Sequence, residues 1–194
     1  MKEFDKLTRF IHLTHQFQNV KRTNLAADTE HRENDAEHSF QIAIVAWFLA
    51  DLFKLPLNRE RLLKYALVHD LGEVYAGDVD PHYSSKEKIK EKAEGENAAM
   101  IQIKQEFPEF SELHKAQKGY HDKEDAESEF VYALDKLLCF LNIHMINDPY
   151  YVVLQFKKGI SILDDMREMH RKVEQCVEIR KLYDHLMEVV ESNK

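Results

Sequence analysis

Along most of the chain the apolar residues recur at spacings of three and four. That is the period of an α-helix, and no strand-like alternation persists. The pattern predicts six or so helices and little or no sheet: about 3–18, 35–54, 59–73, 85–107, 127–146, and a last segment from near 157 almost to the end. A polar loop, KRTNLAADTEHREND, separates the first two, and Pro108 stops the fourth. The second is apolar nearly all round, which predicts a central buried helix with Trp47 and its phenylalanines in the core. Asn34 or Asp35 can cap it, and Glu37 suits its first turn. The fold class expected is all-α, a compact helical bundle in one domain spanning 1–194. The last segment carries Ile162, Met166, Met169, Val173, Ile179 and Leu186 on a broad stripe that must bury against its own core or a second copy.

Against this periodicity several ionisable residues stand on the wrong side. His69 follows Leu62 by seven positions and Asp70 follows Ala66 by four, so both share the apolar face of the third helix. His38 precedes Ile42 by four and Val45 by seven. Asp135 lies inside FVYALDKLLCFL, four after Val131, and Glu96 falls between Ala93 and Met100 on the stripe of the fourth helix. A buried carboxylate without a partner costs several kcal/mol or takes up a proton. Each residue alone is explained by a buried ion pair or a satisfied core histidine. Together they would require several independent buried networks, whereas one shared metal accounts for them all. Two imidazoles and two carboxylates form a mixed N/O donor set that suits Mn, Co, Ni, Fe or Zn, and Mg less well. Four protein ligands on a six-coordinate ion would leave positions open for water and substrate.

Composition narrows the function. A net charge of -8 argues against a surface for duplex nucleic acid, although a pocket for a small anion needs only local positive charge. Cys139 and Cys176 are far apart in helical patterns, which fits a reducing cytoplasm and no disulfide framework. The N-terminal MKEFDKLTRF lacks an apolar core of the secretory type, and IAIVAWFLA at 42–50 falls short of the roughly 20 residues that span a bilayer. No leader and no membrane attachment are expected.

The segments ENDAEHS, LVHDLGEVYAGD and ALDKL carry a resemblance. In that order the chain resembles the HD-domain superfamily of metal-dependent phosphohydrolases, and within it the branch of short 5'-deoxynucleotidases, over roughly residues 1 to 146. The spaced set is what is specific, because the chain holds a second His-Asp pair, His121 and Asp122 in GYHDKED, that reads as solvated loop. The resemblance implies that His38, His69, Asp70 and Asp135 ligate one divalent metal per chain. It implies that Glu73 handles the attacking water and that Asp78 contacts the sugar or assists the leaving group. Arg22 sits about where the family places a phosphate-binding arginine, with Arg32 a second candidate nearby. Lys92 and Glu96 resemble a Lys and Glu pattern common in the branch. The stretch 114–126 departs from the family's acidic, aromatic-containing segment. The implied activity is hydrolysis of a nucleoside 5'-monophosphate to nucleoside and phosphate, by a protein that forms homodimers. Two rivals stand beside it: a phosphohydrolase for another nucleotide or phosphate ester, and a metal-stabilised helical binding module without turnover. The pairing of Glu73 and Asp78 with the four ligands argues against the second, since a scaffold needs the ligands alone.

Overall fold

In the computed structural model the described residues are 1–78, 84 and 86–192, with side chains described at all of these except 86–93. The elements run α1 (Lys2–Asn19), β1 (Lys21–Leu25), β2 (Arg32–Asn34), α2 (Asp35–Leu52), α3 (Arg59–Val68) and α4 (Glu73–Ala76). They continue as α5 (Lys86–Glu106), α6 (Ser111–His121), α7 (Ala126–Ile146), α8 (Tyr150–Lys158), α9 (Ile162–Lys172) and α10 (Val177–Ser192). The all-α expectation holds, with one addition. Part of the predicted polar loop is an antiparallel hairpin, with Lys21 opposite Asn34 and Leu25 opposite Arg32. Its sequence shows no apolar alternation because its inward positions are polar: Asn24, Glu33 and Asn34 are buried. The backbone N–H of Leu25 donates to Asp148 Oδ2 at 2.8 Å, which ties the hairpin to the α7–α8 connection.

Helix α2 starts where the sequence indicates. Asn34 accepts from the backbone of Ala36 and Glu37, and the Glu37 carboxylate accepts from the Asn34 N–H at 3.0 Å. Ile42, Ala46, Leu49 and Ala50 are buried, where α2 packs against α3 and α7. The expectation of a helix buried all round fails on the other side. Phe40 is 66% exposed, Ile44 48%, Trp47 48%, Phe48 60% and Leu52 57%. Neighbours cover one side only, and hydropathy by itself does not say which side.

The third predicted helix is cut short. α3 ends at Val68, the chain turns, and α4 begins at Glu73. The Glu73 N–H bonds the Asp70 carbonyl at 2.8 Å. His69 and Asp70 therefore sit in a turn with near-helical geometry at His69, so their inward direction survives the end of the helix. α7 opens on an Asp125–Ser128 capping box, and its buried residues include Phe130, Val131, Leu134 and Leu138.

The predicted last segment forms two helices, α9 and α10, and a further helix, α8, fills the gap before it. Asn147 and Gly159 adopt left-handed φ of 53° and 69° and stop α7 and α8, and the Ser161 hydroxyl caps α9. Much of the stripe expected on this segment is taken up by the chain's own core: Met166, Val173, Ile179 and Leu186 are buried, while Ile162 and Met169 are partly so. Among the described residues no single helix is long and apolar enough to cross a membrane.

Candidate metal centre

The groups singled out by periodicity converge. His38 leaves the second turn of α2, His69 the turn after α3, and Asp135 the middle of α7. One side-chain donor atom from each lies within 4.8 Å of the others. The two imidazole rings are 5.4 Å apart between centroids, and His38 Nε2 is 2.9 Å from Asp135 Oδ1. Asp70 joins them from the side, its Oδ2 3.0 Å from His69 Nε2.

The environment of His69 fits a metal ligand. Its Nδ1–H donates to the Ala66 carbonyl at 2.8 Å, which leaves Nε2 as the nitrogen facing the cluster. Nε2 is buried and makes no hydrogen bond. Two imidazoles and a carboxylate meeting this closely, with a second carboxylate alongside, form a donor set that fits a divalent cation. The charges around it are strongly coupled. Burial alone would lower His38, but Asp135 first and Glu33 next, with Glu33 Oε2 3.4 Å from Nδ1, push it up to about 9. Burial would raise Asp70, yet His69 and then Arg22 hold it well below the usual carboxylate range. Asp135 is held low in the same way, by Lys136 and then His38.

Arg22 and Arg32 part company. Arg22 reaches inward from β1, with NH1 2.6 Å from Asp70 Oδ2 and 3.2 Å from Asp35 Oδ1. Burial opposes its charge, but Asp70, Asp135 and Glu73 keep it a guanidinium. Arg32 is exposed on β2 and lines a separate cavity together with Lys21 and Lys157, where Arg22 and Asp78 form the shared wall. The cavity at the cluster, about 360 Å³, is lined by His69, Asp70, Glu73, Asp78, Glu96 and Asp135 among others. Glu73 is buried at the first position of α4. Glu96 faces this cavity, as its stripe predicts, and the side chain of Lys92 lies outside the described residues. The second His-Asp pair is solvent-exposed as expected, but His121 closes helix α6 and stands at the rim of the same cavity. Asp122 pairs instead with Lys118.

Four participants were not read from the sequence. Lys136 Nζ lies 2.6 Å from Asp135 Oδ2, and that carboxylate keeps the amine charged against its burial. Tyr120 stacks edge-on against His69 with centroids 5.8 Å apart. Asp35 is fully buried beneath Arg22, and burial followed by Asp70 pushes its carboxyl up to about 6. Glu33 stands behind His38. A lysine directly after an inward aspartate, in an otherwise apolar run, was the signal available for Lys136.

The fold and this cluster define a class, and the chain belongs to it: residues 14–175 match the HD domain family. Among characterised proteins it is similar to human 5'-deoxynucleotidase HDDC2, 32% identical over 133 residues that span 67% of this chain and 63% of that protein. It is also similar to 5'-deoxynucleotidase hdd1 of Schizosaccharomyces pombe, 30% identical over 113 residues, 55% of this chain and 54% of that one. The matched region thus spans less than two thirds of these relatives. In three dimensions it resembles a "Predicted metal-dependent phosphohydrolase" from Magnetospirillum magnetotacticum MS-1, with a TM-score of 0.78 and 23% identity over 95% of this chain and 93% of that one.

Proposed function

We propose that the protein is a metal-dependent phosphohydrolase that releases phosphate from nucleoside 5'-monophosphates. The observation that carries this reading is the meeting of His38, His69 and Asp135 within 4.8 Å, at a cavity that His69 and Asp135 line together with Arg22, Glu73 and Lys136. His38, His69, Asp70 and Asp135 would hold one divalent transition ion such as Mn, Co, Ni, Fe or Zn, with Mg a poorer fit to the imidazoles. Such an ion lowers the pKa of water and polarises a phosphoryl oxygen. Glu73 takes a proton from the water that attacks phosphorus. The P–O5' bond breaks, and that proton is returned to the departing nucleoside oxygen. Arg22 offers a planar fork of donors to the phosphoryl oxygens and Lys136 a second positive charge. Arg22 is engaged with Asp70 and Asp35, so phosphate must share it with them. Asp78 lines both this cavity and its neighbours, where it can accept hydrogen bonds from the sugar hydroxyls. Arg32, with Lys21 and Lys157, supplies positive charge outside the centre and serves to attract the anion.

The similarity to 5'-deoxynucleotidases supports the substrate class. The free state of Cys139 and Cys176 suits a reducing cytoplasm. The exposed side of α2 supports a homodimer. Phe40, Ile44, Trp47, Phe48 and Leu52 form one stripe at helical spacing. Its three aromatic rings alone leave about 350 Å² uncovered, close to half of the roughly 800 Å² per partner of a standard interface. A stripe along a single helix can pair with its own two-fold copy.

The test is phosphate release from a panel of esters by protein loaded with Mn²⁺, Co²⁺ or Mg²⁺. Turnover of 2'-deoxynucleoside 5'-monophosphates above cyclic and pyrophosphorylated nucleotides is expected. Preference for a cyclic or pyrophosphorylated ester overturns the substrate class, and no turnover of any ester leaves a metal-stabilised binding module.

A further inference from the structure

A smaller cavity of about 260 Å³ opens from the metal-bearing one and shares Arg22, Asp78, Asp135 and Lys136 with it. Its character is different. Phe140 and Ile143 of α7, Tyr150 and Tyr151 of α8 and Met169 of α9 supply its walls. The rings stand at fixed angles: Tyr150 and Tyr151 are 5.0 Å apart at 88°, and Phe140 and Tyr151 are 6.0 Å apart at 33°. Tyr151 Oη donates to Asp165 Oδ2 at 2.7 Å, which fixes both the ring and the carboxylate. Asp165 and Glu168, on successive turns of α9, give this lobe two carboxylates beyond the shared wall. Both are hydrogen-bond acceptors when ionised, and one carboxylate can accept several bonds. Neither is used by the hydrolysis described above.

We propose that this lobe binds the nucleobase of the leaving nucleoside, and that Asp165 and Glu168 make it favour bases bearing an exocyclic amine. The inference rests on the phosphohydrolase reading of the adjoining centre. A phosphate held by Arg22 and Lys136 points its ester oxygen out of the metal cavity. The aromatic lobe begins at those same two residues. An aromatic base presents flat faces to the tyrosine and Phe140 rings, and its edge reaches the α9 carboxylates. An exocyclic amine offers two N–H donors to them, whereas thymine or uracil offers one imide N–H flanked by carbonyl oxygens that meet them acceptor to acceptor. A site of this kind is mostly apolar with a few convergent polar groups, as binding sites for small molecules generally are.

The experiment compares kcat/KM of the metal-loaded protein for dAMP, dCMP, dTMP and the base-free ester 2-deoxyribose 5-phosphate. The wild-type protein is expected to favour dAMP and dCMP over dTMP about tenfold or more, and all three over the base-free ester. In Asp165→Asn with Glu168→Gln the preference for amine-bearing bases should fall to within about twofold. Equal rates with 2-deoxyribose 5-phosphate and the nucleotides overturn the proposal and leave the phosphohydrolase standing, as does an amine preference that the double variant retains. If no ester is hydrolysed, the activity reading falls, and binding of deoxyadenosine followed by calorimetry decides the lobe by itself. Weaker binding in Tyr150→Ala and in the double variant supports it. Binding that is absent from the wild-type protein or unchanged in both variants overturns it.

Discussion

The two sides of α2 invert the usual rule. The side turned to α3 and α7 carries His38, buried against Asp135, while the opposite side offers two phenylalanines and a tryptophan to solvent. Inside, a charged group is tolerated because several others answer it: Asp135 on one nitrogen and Glu33 behind the other, with Lys136 and Arg22 balancing the carboxylates. Outside, the described residues leave about half or more of each of these three aromatic residues uncovered. Buried charge held only by mutual partners marks a centre built to bind an ion. Uncovered apolar area at helical spacing is what the proposed homodimer would cover. On that reading the two sides should respond to substitution in opposite ways.

The inner side should be the more fragile. Asp135→Ala removes the partner of buried His38 and of half-buried Lys136. Chemical denaturation of the metal-free protein is expected to show a loss of about 3–5 kcal/mol, as when one partner of a buried pair is removed. Phosphate release should fall below detection. A stability within about 1 kcal/mol of the parent would mean that the cluster is solvated and not charge-coupled.

Glu73→Gln isolates chemistry from binding. In the proposed mechanism Glu73 handles water and does not ligate, so metal content by plasma mass spectrometry should stay at one ion per chain. The kcat should drop by roughly 10²–10⁴, the range for loss of a general base. Retained turnover would remove Glu73 from the mechanism, and a lost ion would make it a ligand.

The third expectation concerns pH. His38 in the folded, metal-free chain is pushed from its ordinary 6.5 to about 9. A raised folded value stabilises fully below the unfolded pKa, and the contribution is lost as pH climbs through the folded one. Stability in chelator should therefore decline between about pH 6.5 and 9, by on the order of 3 kcal/mol in all. Metal uptake displaces this same proton. Its apparent affinity should rise about tenfold per pH unit over that window. Melting curves with and without metal across the window would diverge as pH increases, and parallel curves would contradict the coupling.

The outer side should be the most tolerant. Phe48→Glu is expected to move the stability of the single chain by about 0.5 kcal/mol or less, as exposed substitutions do. Light scattering should show its mass falling from twice the chain to the 23.0 kDa of one copy. A wild-type protein already at 23.0 kDa at micromolar concentration would remove the dimer.

The contrast also explains what the sequence could and could not convey. His38, Asp70 and Asp135 were legible because helical spacing placed titratable groups among leucines and alanines, a local signal. The exposure of Phe40, Trp47 and Phe48 was not legible, because periodicity cannot tell a core from a face between copies when a helix is apolar all round. The hairpin escaped because KRTNL and REN bury Asn24 and Glu33 and not apolar residues. The end of α3 at Val68 escaped because the turn keeps nearly helical angles at His69, so the apolar stripe continues past it. Tyr120 and Gln117 come to the site from α6, whose sequence reads as a polar, partly helical stretch although its buried face packs on the core.

The central claim is that the inward charges of α2, α7 and the turn after α3 make one metal site. Calorimetric titration of chelator-treated protein with Mn²⁺ or Co²⁺ tests it directly, with His69→Ala alongside. One ion per chain with proton release, abolished in the variant, is the predicted result. No saturable binding, or binding that His69→Ala leaves intact, would contradict it.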